Sequence, residues 1–173
     1  SREATRWRWP NSRPDVEGGR TDVAPWVPLA LAAAEAWQQT AATREADSRE
    51  ARALVDRVRA AAAAVPDTEV VGDAADRLPH VVTFSSLYVD GEALVGAFDR
   101  QGIAVASGSA CTSSTLEPSH VLAAMGTLTH GNVRVTLPLA AVSPGRADDV
   151  EALCASLGPT VEAVRGELGV TGL

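Results

Sequence analysis

Residues 80–107 read "HVVTFSSLYVDGEALVGAFDRQGIAVAS", and they set the fold class. The β-branched and aromatic residues of HVVTFSSLYV have the composition of a strand. Asp90 then offers an N-cap to the helical GEALVGAFDRQ, and Gly102 stands where helices end in a left-handed residue. IAVAS resumes as a strand. Working outward, TEVVG (68–72) is a further strand signal. NVRVTL (132–137) is another, with Val133, Val135 and Leu137 alternating against Asn132, Arg134 and Thr136. EPSHVLAAMG reads as a short helix capped at Ser119 and ended by Gly126. Upstream, Pro25 and Pro28 bracket the start of an Ala-rich helical stretch that runs to about Val65, with Pro66 as its stop. Thr40 and Thr43 interrupt it and predict a bend into two consecutive helices. Leu54, Val55 and Val58 share one face of the second. Pro144-Gly145 turns into the last helices, about Asp148–Leu157 and Pro159–Leu168. Helices alternating with three or four short strands make an α/β or α+β two-layer domain.

Composition narrows the function classes. The 173 residues are 46% hydrophobic but only 4% aromatic, so the core is built from Ala, Val and Leu. The net charge of -7 and the lack of a basic block argue against nucleic acid as a partner. PLALAAAEAWQQ turns polar too early to span a membrane. With two cysteines, Cys111 and Cys154, and no signal-peptide pattern, a reducing, cytoplasmic setting is the expectation. The first 22 residues mix Arg, Trp and Pro with little periodicity, and read as the tail of something larger or an extended arm.

Chemistry concentrates at SGSACTSSTLEPS (107–119). An inert cysteine usually sits among apolar neighbours. Cys111 sits instead between Gly108-Ser109-Ala110 and Thr112-Ser113-Ser114-Thr115, a loop that presents the thiol. About six extended residues on either side would give it a reach of roughly 20 Å. A structural thiol is the commoner role for an arbitrary cysteine, and reactivity needs a depressed pKa or a neighbouring base. Arg134 lies on the polar face of its strand. Most such arginines are surface charges, yet a strand-borne arginine beside a cleft is well built to grip a carboxylate through two parallel hydrogen bonds. His120 and His130 flank the short helix without a second ligand at metal spacing, so no metal site is expected. Cys154, inside the helical VEALCASL, reads as core. EGGRTD (17–22) has the makings of an anion-holding turn, with Arg20 and Thr21 after two glycines.

The stretch VDGEALVGAFDRQGIAVASGSACTSSTLEPSHVLAAMG, followed by HGNVRVTL, resembles the C-terminal half of the pyridoxal-phosphate-dependent cysteine desulfurases of the class V aminotransferase superfamily. SGSACTS with LEPSHVL is similar to their long-loop class. The resemblance covers roughly residues 15–168 and is strongest over 78–137. It implies the small domain of a fold-type I enzyme: a short, mainly antiparallel sheet of three to four strands with helices packed on it. Residues 1–25 would end the large cofactor-binding domain, and 26–173 would form the small domain with its linker helices and the Cys111 loop. It further implies that Cys111, on the loop residues Gly108, Ser109, Ala110, Thr112 and Ser113, accepts sulfur as a persulfide, and that Arg134 binds the carboxylate of L-cysteine. In the family's dimers a Gly-Thr turn of one subunit reaches the cofactor phosphate of the other; here Arg20 occupies the threonine's place, with Thr21 beside it. Pro138 departs from the glycine usual after that strand. The family's Schiff-base lysine lies upstream, and this chain has no lysine at all. The expected partners are therefore a lysine-bearing N-terminal half, a second copy, and a sulfur acceptor or scaffold protein serving iron–sulfur cluster assembly or thiolation. A stand-alone sulfur-carrier or adaptor module is the competing reading. A third is an aminotransferase relative in which Cys111 is incidental, against which the intact SGSACTS argues.

Overall fold

The computed structural model describes residues 26–107 and 119–169. In chain order the elements are helix α1 (Val27–Ala63), strands β1 (Thr68–Val71) and β2 (Val81–Ser86), helices α2 (Gly91–Asp99) and α3 (His120–Ala124), strand β3 (Asn132–Thr136) and helix α4 (Arg146–Glu167). The chain divides into two compact units, Ser1–Arg44 and Glu45–Leu173. In the first, the α1 residues Val27–Arg44 are exposed throughout, Trp37 at 77%.

The second unit holds the sheet. Its strand order is β1-β2-β3, and both pairings are antiparallel. Val82 pairs with Val135 and Phe84 with Val133, so one face of the sheet is apolar. That face, Leu54, Val55 and Val58 of α1, Leu94 and Phe98 of α2, and Val150, Leu153 and Val161 of α4 form one core cluster. Burying each such side chain contributes about 1.5–3 kcal/mol. The two-layer α/β architecture and the alternation expected along 132–137 are both present.

Three local expectations need correction. There is no bend at Thr40–Thr43, because α1 is one helix of 37 residues. The hydroxyls of Thr40 and Thr43 donate to the carbonyls of Ala36 and Gln39 one turn back, so they join the helical pattern instead of breaking it. The two C-terminal helices are also one, with Pro159 inside it. Leu153, Leu157, Thr160, Val161 and Val164 are all buried, so one packed face runs past the proline. Finally, IAVAS is no full strand; it contributes a single antiparallel bridge from Ala106 to Arg134.

Caps behave as their residue types dictate. Asp90 accepts from the Ala93 amide at the start of α2, and Gly102 follows that helix at φ +76°. Ser119 accepts from the Leu122 amide at the start of α3. Gly131 (φ +63°) could not be otherwise, since a Cβ there would sit 2.0 Å from the Ser86 carbonyl oxygen. No described helix is long and apolar enough to cross a membrane.

Candidate active site

β3 positions Arg134. Its flanking valines, Val133 and Val135, are buried, so alternation turns Arg134 to the opposite, solvent-facing side. Thr83 of β2 stands opposite it on one flank. On the other flank lies Ala106, whose amide donates to the Arg134 carbonyl at 3.1 Å while the Arg134 amide donates to the Ala106 carbonyl at 2.6 Å. The guanidinium itself has no hydrogen-bond or ion-pair partner among the described residues. Two other arginines are committed. Arg146 pairs with Asp47 and Glu50, and Arg165 donates to the carbonyls of Leu87 and Pro66. The five-donor fork of Arg134 stands on the exposed side of β3.

The turn before β3 is pinned from below. Ser85 is fully buried, and its hydroxyl donates to the Leu128 carbonyl at 3.0 Å. The Leu128 amide donates to the Glu69 carboxylate at 2.9 Å. The Ser86 amide donates to the Gly131 carbonyl at 3.0 Å. These contacts fix where β3, and with it Arg134, begins.

Of the residues expected in the site, Arg134 alone is described. Cys111, its loop neighbours Gly108, Ser109, Ala110, Thr112 and Ser113, and the phosphate candidates Arg20 and Thr21 lie outside the described residues. The stretch that carries Cys111 nevertheless has two described ends. Ser107 directly follows the bridge to Arg134, and its hydroxyl donates to the Glu92 carboxylate. Ser119 begins α3, whose Leu122 is buried. Glu92 escaped the sequence reading. An acidic residue in the first turn of a helix already has a reason to be there, and the contact joins segments that no local pattern links.

His120 and His130 are exposed, and the described residues contain no cluster of His, Cys, Asp and Glu fit to hold a metal. Cys154 packs half-buried against the core, and burial pushes its thiol up, partly opposed by Arg57. A cleft of about 450 Å³ between residues 101–104, the end of β3 and α4 is lined by Ile103, Thr136, Pro138, Asp149 and Leu153, and does not include Arg134.

Residues 3–153 match the family model for class V aminotransferases. The chain belongs to that family. Its relatives include a cysteine desulfurase of Trichormus azollae, 49% identical over 78 residues, covering 43% of this chain and 20% of the relative. The cysteine desulfurase NifS of Azotobacter vinelandii is 41% identical over 123 residues, covering 69% of this chain and 30% of NifS. The chain thus spans between a fifth and a third of the length of these relatives. Among solved structures, a NifS-like protein from Rickettsia africae superposes with a TM-score of 0.70 at 17% identity, over 90% of this chain and 40% of that one. That likeness concerns the fold, and it matches the α/β unit built around β1–β3.

Proposed function

We propose that this chain is the C-terminal part of a cysteine desulfurase, which takes sulfur from L-cysteine, leaves L-alanine, and carries the sulfur as a persulfide on Cys111. One observation carries the reading. The Ala106–Arg134 bridge joins the strand of the one uncommitted arginine on β3 to the backbone that leads, five residues later, to Cys111. A carboxylate grip, and a thiol on the segment that follows the bridge, suit a small amino acid bearing sulfur.

Pyridoxal phosphate, which the family implies, serves such enzymes as an electron sink. The residues of this chain do not complete its site. All fifteen basic residues are arginine, so the covalent lysine anchor is not among them. The group would be held by residues beyond this sequence, with Arg20 and Thr21 as candidates for a phosphate contact across a dimer. The roles of this chain are then its own: Arg134 binds and orients the substrate carboxylate, and the Cys111 thiolate accepts the sulfur and passes it to an acceptor or scaffold protein.

Joining the chain to its lysine-bearing portion should give L-alanine and a Cys111 persulfide from L-cysteine, with sulfide released once a thiol reductant is added. Cys111→Ser should abolish the persulfide while cysteine still binds. Arg134→Ala should raise the Michaelis constant for cysteine about ten- to hundredfold, as loss of a charge-assisted, bidentate contact predicts. A sulfur-carrier module would need Cys111 and be indifferent to Arg134, so an unchanged Arg134→Ala variant would overturn the substrate-binding role.

A further inference from the structure

β3 leaves part of its outer edge open beside the cleft at its end. The Ser86 amide donates to the Gly131 carbonyl and the Leu137 amide to the His80 carbonyl, which sets the alternation of the β2–β3 ladder. Val133, Val135 and Leu137 bond toward β2, so the backbone groups of Arg134 and Thr136 point away from it. Those of Arg134 meet Ala106. In the same antiparallel register Thr136 would meet Ala104, and it does not: neither residue's N–H or C=O has a hydrogen-bond partner among the described residues. Both residues line the cleft of about 450 Å³ instead. The next outward position is Pro138, which has no N–H to offer and whose carbonyl accepts from Arg146. Thr136 thus presents one donor and one acceptor, side by side, on a strand edge.

A chain in extended conformation can pair with both groups. Its pairing residue then shares the face of the Thr136 side chain, and the residues before and after it share the face of Val135 and Leu137. That is the face packed against α4. There the cleft offers the apolar Ile103 and Leu153, and the exposed Asp149, whose carboxylate has no hydrogen bond or ion pair among the described residues. An acid in the first turn of α4 already complements the helix dipole, so Asp149 decides the charge that fits and not the existence of the site. We propose that this cleft docks an extended segment of a basic partner protein, one residue of which pairs with the Thr136 backbone while apolar and basic neighbours face Leu153 and Asp149. The net charge of -7 favours such a partner over a second copy of the same acidic chain. The proposal goes beyond the desulfurase reading and does not depend on it.

The probe is acetyl-Lys-Thr-Val-Thr-Lys-amide, whose apolar and basic side chains share one face in either chain direction. It is added to the full-length protein that contains these residues. At saturation it should slow amide hydrogen exchange at Thr136 about three- to tenfold, the worth of one hydrogen bond. Fluorescence anisotropy of the labelled probe gives its affinity. Acetyl-Glu-Thr-Val-Thr-Glu-amide should bind about fivefold or more weakly, and Asp149→Asn should bring the two peptides within about twofold of each other. Methylating both threonine nitrogens of the probe removes the donors for the Thr136 carbonyl and leaves the protein's own fold untouched; it should weaken binding about tenfold. Unchanged Thr136 exchange with about 1 mM probe would overturn the proposal. So would an acidic peptide that binds as well as the basic one, a preference that survives Asp149→Asn, or a methylated probe of undiminished affinity. A Thr136 amide already protected before peptide is added would overturn it as well, because another part of the protein or a second copy would then fill the cleft.

Discussion

Arg146 and Arg134 are the same residue type in opposite settings, one buried among partners and the other exposed on its strand. Arg146 is 1% exposed. One terminal nitrogen donates to the Pro138 carbonyl at 2.8 Å, and the other pairs with Asp47 at 2.8 Å and Glu50 at 3.0 Å. Asp47 also accepts the Ala140 amide, so α1, the segment after β3 and the start of α4 close on one guanidinium. Arg146→Ala removes every one of those donors and leaves the Asp47 charge, only 15% exposed, without its partner. Breaking such a buried pair from one side costs about 3–5 kcal/mol. Urea unfolding should register a loss near the lower end, since Glu50 can turn to water. Arg146→Lys should recover only part of it, because one ammonium cannot reproduce the fork. A loss under about 1 kcal/mol in Arg146→Ala would show that the network contributes little. The sequence hid this role: its acidic partners lie far upstream, and Pro144-Gly145-Arg146 reads locally as a turn and nothing more. Arg134 was legible because strand alternation alone decides which way it faces.

At the scale of elements, legibility followed the strength of the local signal. β1, β2, α2, α3 and β3 stand where β-branched runs, Asp90, Ser119 and the glycines put them. One failure came where tertiary packing overrules a local breaker. Pro159 lies inside α4, at an exposed position with buried Leu157, Thr160 and Val161 around it. Proline in a helix interior costs about 3 kcal/mol relative to alanine, and its stiffening of the unfolded chain returns about 0.4–1 kcal/mol. The packed face carries that cost. Pro159→Ala should therefore stabilise the protein by about 2–2.5 kcal/mol, seen as a higher melting temperature with unchanged core packing. A lower melting temperature would mean that the proline sets a bend which the core needs. The threonines of α1 differ: they are exposed, and no packing overrules them; their hydroxyls found partners within the helix itself.

At the scale of the whole molecule, the sequence told more about chemistry than about how the chemistry is assembled. Family membership could be read from one contiguous stretch, and the way Arg134 faces from one strand. The Glu92–Ser107 contact and the pinning of the β3 turn by Ser85 and Glu69 could not, because they arise only when α2, β1 and β3 are brought together. What the chain lacks is equally a whole-molecule property. A guanidinium stays protonated and does not act as an amine nucleophile, so fifteen arginines and no lysine leave no side-chain amine anywhere along the 173 residues. If the protein that contains this chain carries pyridoxal phosphate, borohydride reduction followed by digestion should place the pyridoxyl mass on a peptide outside residues 1–173. The same experiment on the chain by itself should leave all its side chains unmarked, and gel filtration should remove the cofactor's absorbance. A pyridoxyl mark on a side chain within these residues would break the division of labour proposed here, in which this part of the molecule supplies the grip and the thiol and another part holds the cofactor. A mark outside it, lost on Cys111→Ser, would also count against that division, because the thiol should act only after the cofactor is already in place.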